Sequence, residues 1–150
     1  MKKYEFTGEE KLVDNHTLHR VRALRNFGMV KAGNLGGWIE GEDNLSHDGY
    51  AWVYGNAQVT GSACVTGDAR VGGNAQVEGN ADFSIIGGFG SFFRTTTFFR
   101  CQDGKVRTQC GCFYGDLKEF RAKVKETHGE SKMAKEYLMI ADLMEMHFSK

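Results

Sequence analysis

The chain has no proline, only four cysteines and no excess of either charge. Each absence excludes something. With twenty glycines and no proline, its backbone freedom belongs to tight turns repeated in a regular way, not to disordered linkers. Balanced charge, at 19 basic and 19 acidic residues, leaves no global field to steer it towards nucleic acid or membrane. No stretch approaches the roughly 20 apolar residues a bilayer requires. Met1-Lys2-Lys3 runs into Tyr4-Glu5-Phe6 and not into an apolar segment, so no signal peptide is expected. Cys64, Cys101, Cys110 and Cys112 are then read as reduced thiols, and the compartment as the cytosol.

What is present is a beat of six. Alanine stands at 51, 57, 63, 69, 75 and 81, and two positions after each come Val53, Val59, Val65, Val71, Val77 and Phe83. Gly49, Gly55, Gly61, Gly67, Gly73 and Gly79 keep the same phase, and Tyr50, Asn56, Ser62, Asp68, Asn74 and Asn80 precede the alanines. Side chains alternate across a strand, so Ala and Val share an inward face and the residues between them point out. Glycine and the short polar residue tolerate the bend between strands. The pattern resembles the hexapeptide repeat of left-handed parallel β-helices, in which three units make one turn. That resemblance implies stacking at a separation of 18, with Gln58 over Gln76, Trp52 over Arg70 as a cation–π pair, and Thr60 over Glu78.

The expected fold is mainly β with an α+β C-terminal cap. Residues 1–49 form a β cap, 50–84 a short left-handed parallel β-helix of about two turns, and 85–150 a hairpin with two helices, all one cooperative unit. In the first segment Asp14-Asn15 is a turn signal, and Trp38 is expected to cover the open end of the repeat. In the last, 95–101 and 105–113 read as strands joined by the two-residue loop Asp103-Gly104. That loop sets Cys101 opposite Val106 and Phe99 opposite Thr108. One hairpin face then carries Phe99, Cys101, Val106 and Cys110 beneath the helices, and the other carries Phe98, Arg100, Lys105 and Arg107 in the open. Asp116 with Glu119 reads as a capping box, Gly129 as a helix stop and Ser131 as the next start. Met133, Tyr137, Ile140, Met144 and Phe148 form the buried stripe of the second helix.

The chemistry is sparse. Cys110-Gly111-Cys112 with Cys101 lacks the two-residue spacing usual in zinc ribbons, and packing is the expected role of these thiols. No histidine shares a motif with a nucleophile and an acid, and the glycines follow the repeat, not a phosphate loop. Neither catalytic residue, metal nor cofactor is expected. The positive excess lies in residues 85–150, with 11 basic and 8 acidic side chains. Arg94, Phe98, Arg100, Lys105 and Arg107, joined by Arg20 and Arg22, are therefore the expected ligand-binding residues. Arginine matches phosphate geometry and an aromatic ring can stack on a base. The phenylalanines of 89–93 and 98–99 are also dense enough for a contact between copies in a homo-oligomer.

Leu35-Gly36-Gly37-Trp38-Ile39-Glu40, the repeats, and Cys110-Gly-Cys-Phe-Tyr-Gly-Asp-Leu117 running on to His128-Gly129 and Tyr137-Leu138 together resemble a family of small phage and prophage proteins with hexapeptide-like repeats. The resemblance implies a non-enzymatic accessory protein in the host cytosol. It would bind an anionic, nucleotide-like molecule, such as a cyclic nucleotide immune signal, as counter-defence. Its alternatives are an inhibitor that contacts a host defence protein and, less in keeping with repeats that hold no histidine after His47, a hexapeptide-type acyltransferase.

Overall fold

The computed structural model describes residues 2–149. Strands β1 (Tyr4–Val13) and β2 (His16–Ala23) form a hairpin. Its turn residues Asp14 and Asn15 have φ of 48° and 68°, the left-handed conformation a two-residue hairpin turn requires. β3 (Leu35–Ile39) pairs antiparallel with β2. The repeat then supplies four strands of two residues each: β4 (Trp52–Val53), β5 (Gln58–Val59), β6 (Arg70–Val71) and β7 (Gln76–Val77). Gly49, Gly55, Gly61, Gly67 and Gly73 all lie in the left-handed region, with φ of 61–66°. Only glycine enters that region without strain, so the beat of six is a beat of bends.

The expected parallel β-helix is not what forms. The described residues build three separate sheets. One is mixed and five-stranded, in the order β1-β2-β3-β5-β7, and a second holds only β4 and β6. Of the remaining hexads, the one holding Val65 contributes a single bridge to Leu45, and the last runs from Phe83 into the C-terminal sheet. Six units are too few to grow by stacking alone, so β5 and β7 extend the antiparallel N-terminal sheet through β3. The phase also ends early, because Ala81 is exposed. Local pairing does follow the separation of 18: Trp52 with Arg70, Val53 with Val71, Gln58 with Gln76 and Val59 with Val77. Arg70 lies over the Tyr54 ring, 5.3 Å from its centroid, and not over Trp52 as expected.

Alanines 51 to 75 and valines 53 to 77 of the repeat are buried, with Tyr4, Val21, Ile39, Phe99 and Cys101 in the same core. Lys3 is buried against it. Its Nζ donates to the Ala51 carbonyl at 2.6 Å and sits 4.9 Å from the Phe27 ring centroid, while Tyr4 Oη donates to the Leu45 carbonyl at 2.6 Å. These residues close the start of the repeat. Trp38 does not: β3 turns Ile39 inward and Trp38 outward, between Lys11 at 4.3 Å and Arg20 at 5.6 Å from the ring centroid.

The third sheet is antiparallel, in the order β11-β10-β9-β8, from β8 (Phe83–Phe89), β9 (Arg94–Arg100), β10 (Val106–Cys110) and β11 (Phe113–Asp116). Its central hairpin is shifted by one residue from expectation. Thr108 faces Phe98, and Arg107 faces Phe99. The loop has three residues, closed by Cys101 N–H to the Lys105 carbonyl at 2.9 Å, with Gly104 at φ 83°. A turn followed by a left-handed residue makes this longer hairpin loop. A one-residue slip exchanges the two faces of a strand. Phe99 and Cys101 therefore pack on the repeat, and Phe98 joins the second core beneath helices α1 (Leu117–His128) and α2 (Lys132–Phe148). The sheet is covered on both sides, so among the described residues it has no free basic face.

The helices begin as the sequence predicts. Asp116 accepts from the Glu119 N–H at 2.8 Å and Glu119 returns the bond to the Asp116 N–H at 3.1 Å. Ser131 caps α2 through the Ala134 N–H at 3.3 Å, and Gly129 ends α1 at φ 58°. Tyr137, Ile140, Met144 and Phe148 are buried, whereas Met133 is exposed. No helix among the described residues is long and apolar enough to cross a membrane.

Candidate ligand-binding site

The register slip scatters the basic cluster that the sequence assembles. Arg100 faces the helices. Its Nε donates to Asp82 Oδ1 at 3.0 Å, and its guanidinium reaches the Phe148 carbonyl at 3.3 Å. Arg107 faces the repeat and forms a two-pronged pair with Asp103 at 2.9 and 2.8 Å. Phe98 is wholly buried, edge-on to Phe120 at 5.8 Å, and offers no ring to a ligand. Lys105 is exposed beyond the hairpin loop. Arg22 pairs with Glu5 at 2.6 Å. Arg20 lies over Trp38, 3.8 Å from Glu9. His47, the last histidine before the repeats, is stacked on Tyr4 at 4.0 Å and paired with Glu42 at 3.0 Å.

Arg94 is different. Among the described residues it alone of these five arginines makes no ion pair. It opens β9 at the rim of a cavity of about 380 Å³ between the β8–β9 loop, the β10–β11 turn and the two helices. The cavity's buried wall is apolar: Phe120, Val124 and Tyr137, with half-buried Phe113 beside them. Its rim carries Arg94, Lys123 and His128 and, among the described residues, no carboxylate. The Arg94 guanidinium lies 5.0 Å from the Phe92 ring centroid, and His128 stacks on Tyr137 at 5.9 Å.

Two glycines give the cavity its shape. Gly90 (φ 78°) and Gly111 (φ 59°) both sit in the left-handed region. A methyl group on Gly90 would strike the Tyr137 hydroxyl, and one on Gly111 the Arg94 guanidinium. Burial, reinforced by the Cys110 thiol nearby, pushes the Tyr137 phenol up to about 12, so it remains a neutral hydrogen-bonding group at any physiological pH. Cys110 shares a hydrogen bond with Thr96 Oγ1 at 3.2 Å. Among the described residues no group of three or more His, Cys, Asp or Glu side chains is placed to hold a metal ion.

Sequence reasoning found one residue of this site, Arg94. Lys123, Thr127 and His128 were within reach of it. They lie on α1 at the border of the stripe formed by Phe120 and Val124, where an amphipathic helix meets solvent. His128 reads more simply as a cation at a helix C-terminus, which hides its second role. No family model matches this chain, and no curated protein matches it.

Proposed function

We propose that this protein is a non-enzymatic binder of an anionic small molecule that carries an aromatic ring. The observation that supports this is Arg94, a guanidinium with no carboxylate partner at the mouth of an apolar aromatic cavity. Lys123 and His128 add positive or donor groups, while Phe92 and Phe113 offer rings for stacking. An arginine matches phosphate, and base–aromatic stacking is worth about 1–3 kcal/mol per base. About 380 Å³ stands at the small end of the roughly 300–1,000 Å³ of ligand pockets, which is room for one base with its phosphate. A cyclic mononucleotide fits this description. A cyclic dinucleotide would need the cavities of two copies in a homo-oligomer. In the phage setting that the sequence resembles, such binding sequesters a nucleotide signal of host defence.

Isothermal titration with 3′,5′-cyclic AMP, adenosine and inorganic phosphate tests the reading. The nucleotide binds, the uncharged nucleoside binds at least about tenfold more weakly through loss of a charged hydrogen bond, and phosphate alone is weakest. Equal binding of nucleotide and nucleoside, or no binding of either, removes the proposal.

A second reading, a contact with a host defence protein, has one observation of its own. Phe92 and Phe93 are 75% and 74% exposed, and Phe93 holds a left-handed φ of 52°, a strained conformation for such a residue. A protein partner that binds the native chain and not Phe93→Ser, while nucleotide titration stays silent, would favour it.

A further inference from the structure

A second cavity, of about 330 Å³, lies where the tip of the β1–β2 hairpin overhangs the outer face of β5 and β7. It is independent of the cationic site and of opposite character. The pairing of β5 with β7 sets the Gln58 and Gln76 amides side by side, with Thr60 next to them and Asp14, His16 and Glu78 around the rim. Gln58 and Thr60 are only 9% and 7% exposed. Among the described residues neither side chain has a hydrogen-bond partner, although both line the cavity. Their stems are buried, but their polar atoms keep accessible surface, since the buried side-chain atoms left without a partner among the described residues are Arg25 Nε and Thr108 Oγ1. The hydrogen-bonding capacity of Gln58 and Thr60 is therefore open to an occupant of the cavity they line.

The donor and acceptor balance defines that occupant. Gln76 Nε2 donates to Glu78 Oε1 at 2.8 Å, which leaves the Gln76 carbonyl oxygen and the other Glu78 oxygen free to accept. Glu40 is engaged elsewhere: one oxygen bonds His16 Nδ1 at 2.7 Å, and the other accepts the Gly61 N–H at 2.9 Å. The Glu40 carboxylate raises the pKa of the His16 imidazole, and its Nε2 accepts while the ring is neutral and donates once it is protonated, its charge then paired with Glu40. Asp14 adds a carboxylate, and among the described residues no lysine or arginine lines the cavity. Acceptors and negative charge are in excess. A group with several N–H donors, a positive charge and no acceptor answers both, which is a primary ammonium. Val13 gives its aliphatic stem an apolar surface. A divalent cation is a poorer match, since calcium takes six to eight oxygens and no three acidic or imidazole groups converge among the described residues. A sugar is poorer still, because the aromatic ring in register with Gln58 is Trp38, and Lys11 and Arg20 already lie against it.

We infer that this cavity binds a short aliphatic amine as its ammonium cation, with Glu78 and Asp14 supplying charge and Gln58 and Thr60 supplying fixed hydrogen bonds. Titration calorimetry with 1,5-diaminopentane tests it, alongside glucose, calcium chloride and the methylamide of Nα-acetyl-lysine. The diamine binds, and Glu78→Gln and Asp14→Asn each weaken it about tenfold or more, the scale of one charge-assisted hydrogen bond. Gln58→Leu weakens it without any change of charge, and Arg94→Glu leaves it unaltered. A preference for the capped lysine over the diamine would assign the same chemistry to a lysyl side chain and not to a free amine. Absence of binding overturns the inference, as does amine binding indifferent to both Glu78→Gln and Asp14→Asn, or binding of glucose or calcium in place of the amine. Glu78 is exposed, so its variant keeps the test valid even where Gln58→Leu fails to fold.

Discussion

The repeat and the C-terminal hairpin are both β structure, but they take their register from different sources. In the repeat, every strand is two residues long, and the same inward pair recurs six residues later. An error at one unit would be opposed by all the others, and pairing at a separation of 18 holds between β4 and β6 and between β5 and β7. The hairpin has one loop. Whether that loop has two residues or three decides which way Phe98, Phe99, Arg100 and Arg107 face. Repetition makes register robust, and a single turn leaves it fragile. The candidate site sits at the fragile end.

The strongest test of this contrast is the pair Phe98 and Phe99. They are neighbours, both fully buried, in opposite cores. Phe98→Ala and Phe99→Ala should each lower stability by about 3–5 kcal/mol, read from the midpoint of urea unfolding. A loss below about 0.5 kcal/mol, as at an exposed position, for either one would mean that the sheet is covered on one face only.

Smaller effects separate the two regions by their glycines. An added Cβ at Gly49 meets the Gly67 carbonyl oxygen at 2.7 Å, whereas one at Gly104 meets nothing within 4 Å. Both residues have left-handed φ, so Gly104→Ala carries only the conformational cost of about 1–2 kcal/mol. Gly49→Ala should exceed it because backbone must also move. Equal costs would show the repeat to be no more tightly stacked than a hairpin loop. Asp116→Ala, which removes the α1 cap, should cost about 1 kcal/mol in the same assay.

The smallest effect belongs to Asp103. The Arg107 guanidinium beside it, helped by the Lys105 N–H, holds its carboxyl at about 2, below its ordinary range. A folded value below the unfolded one means that its contribution is fully present above about pH 4 and is lost as pH falls through about 2. Carboxyl carbon resonances followed by NMR through acid titration should place Asp103 there, and Arg107→Gln should return it towards its ordinary value.

Much of the local structure was legible. Asp14-Asn15, Asp116 with Glu119, Gly129 and Ser131 are short-range signals, and each acts as its chemistry requires. The architecture was harder to read, because six hexads permit stacking but do not compel it. Pairing of β3 with both β2 and β5, which fuses the repeat to the N-terminal sheet, depends on residues 13 to 20 positions apart. The site was hardest. Arg100, Arg22 and Arg20 are neutralised by Asp82, Glu5 and Glu9 from other strands, and Arg107 by Asp103 across the slipped loop. Clustering in sequence therefore said little about which arginine would stay without a partner. Tyr137 and His128 read as packing and capping residues, roles they also have.

Two charge reversals measured side by side bear most directly on the site. In a fluorescence or calorimetric titration with 3′,5′-cyclic AMP, Arg94→Glu should abolish binding, and Arg107→Glu should leave it within about twofold of the native chain. Loss of binding in Arg107→Glu with full retention in Arg94→Glu, both variants folded by circular dichroism, would contradict the assignment of the ligand to the cavity beneath Arg94.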